Sequence, residues 1–248
     1  MSPILAAAAV ALAATPALAA ASPTLFPSTD FPAPDGKPVT VACLKHATLH
    51  IRYDGLEIHV DPVSTGIPPA TDYAAFPKAD LVLVTHEHFD HFDRAAIAAL
   101  SKDDTTIVAN PAVHGMLGTG TALANGGTLQ LRPDVAIEAV PAYNTTPDRL
   151  KFHPKGRDNG YVLTLGGFRI YVAGDTEPTP EMAALRDIDL AFLPCNLPYT
   201  MTPEQTAAAA LSFRPKVLVP YHYGTTPVRR VADLLAGSGI DVRLPSAP

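Results

Sequence analysis

The chain of 248 residues has no tryptophan, two cysteines and only 7% aromatic side chains. Two cysteines exclude a disulfide-dense scaffold. The thin aromatic content argues against the stacking platforms that hold single-stranded nucleic acid. Charge is sparse as well: 17% of residues are Asp, Glu, Lys or Arg, with a net of −6. An acidic surface attracts no polyanion at long range, which sets nucleic acid aside as a partner and leaves a small-molecule substrate. What the chain has is apolar surface. Hydrophobic residues make up 47% of it, enough to bury a large core and to exclude general disorder.

No charged side chain precedes Asp30. Ile4 to Ala14 is almost purely apolar, too short to cross a bilayer core of about 30 Å. Thr15, Pro16 and the small-x-small run Ala17-Leu18-Ala19 follow. Residues 1–20 therefore read as a secretory signal peptide cut after Ala19 or Ala20, although no Lys or Arg precedes the apolar run. The expectation is a periplasmic or secreted protein with no integral membrane segment in its mature form. Pro23, Pro27, Pro32, Pro34 and Pro38 come next; each lacks an N–H and fixes φ. Residues 21–38 are expected to be an extended strap, leading into one domain over 39–248. Cys43 and Cys195 are expected as two buried thiols, with pairing in an oxidising compartment as the alternative.

From Val39 the pattern is one of short strands: Val39–Leu44, Ala47–Tyr53 and Leu56–Val60, with Asp54-Gly55 as a hairpin turn. Leu81–Val84 is continuously apolar, as in a buried strand. Further strands are expected at Thr106–Ala109, Thr128–Leu131, Val135–Val140, Gly160–Leu165, Phe168–Val172, Leu190–Leu193, Val217–Val219 and Ile240–Leu244. Helices are expected at Asp93–Ala99, Pro203–Ser212 and Thr226–Ala236. Hairpins fall in two sets, each followed by strand–helix units. That mixture predicts a single α/β domain of two sheets packed face to face with helices outside.

The chemistry concentrates in Thr85-His86-Glu87-His88-Phe89-Asp90-His91, directly after the apolar strand. In an extended chain alternate residues point the same way, so His86 and His88 aim at one point and Glu87 elsewhere. Asp90 and His91 follow on the turn and aim at a second point. Three imidazoles and a carboxylate so close together suit a borderline metal such as zinc. As a plain loop beside a buried strand, the same groups would be costly to desolvate. Asp175 ends another apolar strand between Gly174 and Thr176, as a ligand or as a helix N-cap ahead of Pro180–Leu185.

His86-x-His88-x-Asp90-His91 after a buried strand resembles the signature of the metallo-β-lactamase-fold hydrolases. Glu57-Ile58-His59-Val60-Asp61-Pro62 is similar to the strand ending in Asp-Pro that precedes their metal loop, and Tyr171 to Thr176 to their Gly-Asp-Thr strand end. Val219-Pro220-Tyr221-His222-Tyr223-Gly224 resembles the last ligand loop of one branch, which includes the ascorbate-6-phosphate lactonase and N-acyl phosphatidylethanolamine phospholipase D types. The likeness runs from about Val39 to Leu244. It implies a four-layer αβ/βα sandwich, two mixed β-sheets with helices outside, and metals at one edge between the sheets. It further implies that His86 and His88 serve a first metal, that Asp90, His91 and His222 serve a second, and that Asp175 bridges. The first metal needs a third histidine. Relatives place one soon after the strand equivalent to Val135–Val140, where this chain has Tyr143-Asn144. His153, in a His-Pro-Lys-Gly element similar to that of a sub-branch, is taken as that ligand, with a surface-loop histidine as the alternative. His46 is read as bordering the site, His50 and His59 as packing, and His114 as structural.

The resemblance implies two Zn2+ per chain, with Mn2+ or Fe2+ as alternatives. Water bound between two such ions has its pKa lowered towards about 7, giving hydroxide at neutral pH. Asp90 is the expected catalytic residue, orienting this nucleophile as well as binding metal. The expected function is an exported zinc-dependent hydrolase of a small ester, lactone or phosphate ester. Asp175 counts against β-lactamase activity. His86-x-His88, where diiron oxygen-reductase relatives carry His-x-Glu, counts against an iron-dependent oxidoreductase; a non-catalytic metal-binding protein is the third rival. Tyr199-Thr200-Met201 is expected to line the substrate mouth and Tyr223 to pack beneath the metals. Lys151, Lys155 and Arg157 are read as an ordinary solvated loop.

Overall fold

In the computed structural model the described residues are 26–244, so the expected signal peptide lies outside them. The chain opens as an antiparallel meander of β1 (Phe26–Pro32), β2 (Pro38–Lys45), β3 (Thr48–Tyr53) and β4 (Leu56–Val60). Asp54 and Gly55 both have positive φ, 47° and 79°, the backbone that a two-residue hairpin loop demands. Then β5 (Leu81–Val84), β6 (Thr106–Ala109) and β7 (Thr121–Ala122) add in parallel, through α1 (Arg94–Leu100) and α2 (Pro111–Leu117). The second half repeats the scheme. Antiparallel β8 (Thr128–Arg132), β9 (Val135–Ala142), β10 (Asp158–Leu165) and β11 (Phe168–Val172) precede parallel β12 (Leu190–Pro194), β13 (Val217–Tyr221) and β14 (Asp241–Val242). Three helices, α3 (Pro180–Ala183), α4 (Pro203–Phe213) and α5 (Arg229–Leu234), lie among these parallel strands. Each half is a seven-stranded sheet whose strands follow sequence order.

Alternation along the strands makes the layers. Val41, Ile51 and Leu83 of the first sheet meet Leu163, Ile170, Phe192 and Val219 of the second in one central core. The opposite face of the first sheet, Val82 and Val84, packs on Ile97 and Leu100 of α1 and Val113 of α2. That of the second, Tyr171, Ala191 and Leu193, packs on Ala207, Ala210 and Phe213 of α4 and on Val231 of α5. Burying each such large side chain is worth about 1.5–3 kcal/mol. The result is the αβ/βα sandwich expected from the motifs. Helix starts carry local signals. Asp93 accepts from the N–H groups of Ala95 and Ala96 at α1, and Thr202 with Gln205 forms a capping box at α4.

The stretch read as a strap is corrected in part. Its described portion holds β1, which pairs with β2, and Phe26 and Phe31 of that strand and Ala33 just after it are buried in the central core. An edge strand can leave N–H positions unpaired, so Pro27 and Pro32 are tolerated there. The packed domain thus includes residues before Val39. Cys43 and Cys195 are free, buried thiols, and burial pushes Cys43 up to about 12. No described helix is long and apolar enough to cross a membrane.

Candidate metal centre

The polar cluster sits where the carboxyl ends of β4, β5, β11 and β13 meet the β2–β3 hairpin and the β9–β10 connection. After β5, His86 and His88 turn the same way, with His86 Nε2 3.1 Å from His88 Nδ1. Glu87 turns away and meets the Arg157 guanidinium at 3.1 Å. The alternation expected of an extended chain is thus kept past the end of the strand. Donor atoms of His86, His88 and His153 all lie within 4.8 Å of one another. So do those of His46, Asp90, His91 and His222, and those of His86, His91 and Asp175. Asp175 joins the sets: its Oδ2 is 3.3 Å from Nε2 of both His153 and His222, and its Oδ1 is 3.4 Å from His91 Nε2.

Backbone chemistry places Asp175. Gly174 has φ 65°, and a Cβ there would stand 2.8 Å from the Asn159 carbonyl oxygen, so only glycine fits. Its N–H donates to the Tyr221 hydroxyl at 3.0 Å, which ties the turn to β13. The N-cap alternative fails, because Thr179 caps α3 by accepting from the Met182 N–H at 3.0 Å.

Outer carboxylates orient the rings. Asp61 Oδ2 is 2.8 Å from His91 Nδ1, and Asp158 Oδ2 is 3.0 Å from His153 Nδ1. Arg157 clamps Asp158 from two nitrogens, at 2.6 and 2.9 Å. Glu177, fully buried, accepts from the N–H groups of Thr145 and Thr146 and pairs with Arg149 at 2.6 Å, which ties down the segment carrying His153.

The electrostatics follow from this crowding. Burial pushes His86 well below the usual imidazole value. Burial also opposes charge on His153, but Asp158 and Asp175 outweigh it and raise the group to about 9. His91 is raised well above its ordinary value, with Asp175 and Asp61 overcoming its burial. Burial works against the ionised forms of Asp175 and Asp90, yet the surrounding imidazoles hold both carboxyls well below the usual range. Even so, His91 Nε2 and Asp175 Oδ1, which face each other inside the cluster, are buried with no hydrogen-bond partner. Orphaned polar atoms converging on one place are costly unless a ligand takes them up. A donor set of imidazole nitrogens and carboxylate oxygens fits zinc or another borderline divalent ion.

All seven expected ligands are brought together: His86, His88, Asp90, His91, His153, Asp175 and His222. His46, expected at the border, is inside the second group. His50 and His59 stack on each other with ring centroids 4.6 Å apart and join none of the donor groups, and His114 lies on α2. Arg157 is not the solvated residue read from sequence, since it braces Glu87 and Asp158. Lys155 meets Glu181 at 3.4 Å. Asp158 and Glu177 escaped the sequence reading. The one signal that Asp158 offered was its place, an acidic residue five positions after His153 that opens an apolar strand.

Over the cluster lies a cavity of about 290 Å³ with His88, Asp90, His153, Asp175 and His222 at its floor. Phe89, Phe152, Tyr199 and Asn196 form its walls. Of Tyr199-Thr200-Met201 only Tyr199 lines it; Thr200 and Met201 are buried. Tyr223 packs against the core under β13.

A sandwich with this cluster at its edge defines a metal-dependent hydrolase of the metallo-β-lactamase fold. Residues 57–223 match the family described as the Beta-lactamase superfamily domain. A UPF0173 metal-dependent hydrolase of Thermus thermophilus is 36% identical over 80% of this chain and 90% of its own length. One from Thermococcus onnurineus is 35% identical over 76% of this chain and 86% of the relative. A crystal structure from Parabacteroides distasonis, provisionally assigned as a metal-dependent hydrolase, is 52% identical with a TM-score of 0.86, covering 90% of this chain and all of that one. The chain belongs to the UPF0173 metal-dependent hydrolases, within the β-lactamase superfamily.

Proposed function

We propose that this hydrolase is an exported, two-zinc enzyme acting on a small neutral ester or lactone with an apolar or aromatic group. Phosphate esters come second. The observation that carries the two-ion reading is the reach of Asp175, whose oxygens lie 3.3 to 3.4 Å from His153 on one side and from His91 and His222 on the other. His86, His88 and His153 would hold one ion, Asp90, His91 and His222 the other, and Asp175 both. Bound there, such a pair would supply acidified water at neutral pH and Lewis-acid polarisation of a carbonyl. The remaining work falls to the chain. Asp90 lines the cavity and can accept a hydrogen bond from the attacking water, which orients it. Asn196 offers a neutral amide to a substrate oxygen at the same wall. Phe89, Phe152 and Tyr199 present apolar surface that excludes water and seats the substrate's apolar part. Among the described residues no Lys or Arg lines this cavity, which supports a neutral substrate over a phosphorylated one.

The test pairs bound-metal analysis with turnover of p-nitrophenyl esters, simple lactones and bis-p-nitrophenyl phosphate, before and after chelation. Two zinc ions per chain and ester or lactone turnover that chelation abolishes are expected. Asp90→Ala should lower turnover by at least about 100-fold and release one ion. Full activity in that variant, or turnover indifferent to chelation, overturns the reading.

A further inference from the structure

The β2–β3 hairpin closes with a two-residue loop, His46-Ala47, between the paired Lys45 and Thr48. His46 has φ 42°, a left-handed backbone that glycine ordinarily supplies in tight hairpin loops. An L side chain is disfavoured there, yet this one is firmly held. The His46 carbonyl accepts from the His222 N–H at 2.9 Å. The preceding Lys45 is buried and donates to the carbonyls of Ser64, Ile67 and Pro69 at 3.2, 3.0 and 2.8 Å. The hairpin therefore has little freedom, and its ring is delivered into the metal cluster. His46 Nε2 lies 3.0 Å from Asp90 Oδ2, and its ring centroid is 3.8 Å from that of His222.

Around a five-coordinate ion with bonds of about 2.0–2.1 Å, neighbouring donor atoms stand roughly 2.9 to 3.5 Å apart. His222 Nε2 stands 3.3 Å from Asp90 Oδ2, and His46 Nε2 approaches the same oxygen to 3.0 Å. The two imidazoles are related to the carboxylate in the same way. We propose that His46 is a further ligand of the second metal position, which then draws on three imidazoles (His46, His91 and His222) as the first does on His86, His88 and His153. The inference rests on the two-ion reading above. It also lies outside residues 57–223, so the matching segment alone would not reveal it. A nitrogen-rich second position favours zinc or iron over magnesium or manganese.

The test is His46→Gly, which suits the left-handed backbone while removing the imidazole; His46→Asn is the companion variant, and thermal unfolding checks that both fold. Ions per chain are measured by elemental analysis across a series of zinc buffers, independently of turnover. Wild type should hold two ions. Both variants should keep the first and bind the second at least about 100-fold more weakly, beyond the 10–100-fold that an outer hydrogen-bond partner accounts for. Free imidazole should restore the second site in His46→Gly. A smaller loss, or one that imidazole does not repair, overturns ligation by His46 and leaves the hydrolase reading standing. A wild type that never takes a second ion overturns the two-ion reading along with it.

Discussion

Asp61 Oδ2 stands 2.8 Å from His91 Nδ1, and neither side chain reaches solvent. Thr85 fixes the same carboxylate from its N–H at 2.8 Å and its hydroxyl at 2.7 Å. The ring cannot turn, and its Nε2 is committed to the centre of the cluster. Asp158 does the same for His153 across the site. On the proposed two-ion reading each carboxylate would serve one metal position, so Asp61→Asn should weaken the second ion by about 10–100-fold and Asp158→Asn the first. Zinc-buffer titrations of the two variants check this; loss of the same ion in both would refute the assignment.

Phe152 and Tyr199 meet edge to face with ring centroids 5.0 Å apart, at the cavity wall. Neither belongs to the donor groups, so both are expected to contribute binding common to ground and transition states. Phe152→Ala and Tyr199→Ala should each raise KM for aryl or long-chain esters by about 10-fold, because the substrate then buries less apolar surface, with kcat nearly unchanged. Acetyl esters should be affected less. A fall in kcat at constant KM would move these rings into the chemistry.

Far from the site, Arg132 holds the Asp134 carboxyl down at about 2 from its ordinary 3.8, and the Tyr53 hydroxyl donates to it as well. A depressed folded pKa gives stability that is present above the unfolded value and lost as pH falls through the folded one. The relevant window runs from about pH 4 down to about pH 2. Asp134→Asn should lower Tm at about pH 5, and the gap to wild type should close on acidification through that window. A gap that persists to about pH 2 contradicts the ion-pair origin.

What could be read in the sequence was whatever is encoded locally. The bounds of β4, β5, β6 and β11 coincide with the apolar runs because turn residues such as Asp54-Gly55 and Gly166-Gly167 punctuate them. His86, His88, Asp90 and His91 were legible because one strand end and one turn set their directions. β1 was not, because Pro27 and Pro32 read as breakers, and only the sheet order shows that this strand is an edge. His46 was visible only as a neighbour of the site. Nothing near it in sequence says that the β2–β3 hairpin docks on the loop after β13. Asp158 was hidden for a related reason: a strand-opening carboxylate is ordinary until the connection before it folds back and sets His153 against it.

The division of labour between the halves has one more consequence. Strands β1 to β7 carry the hairpin and loop with His46, His86, His88, Asp90 and His91, while β8 to β14 carry the segments with His153, Asp175 and His222. Every donor cluster spans the seam between the halves. Severing the five-residue connection 123–127 would leave two pieces, neither able to assemble a whole coordination sphere. A captured ion is therefore a rivet driven through both plates, and its retention reports that the two have closed on each other in register.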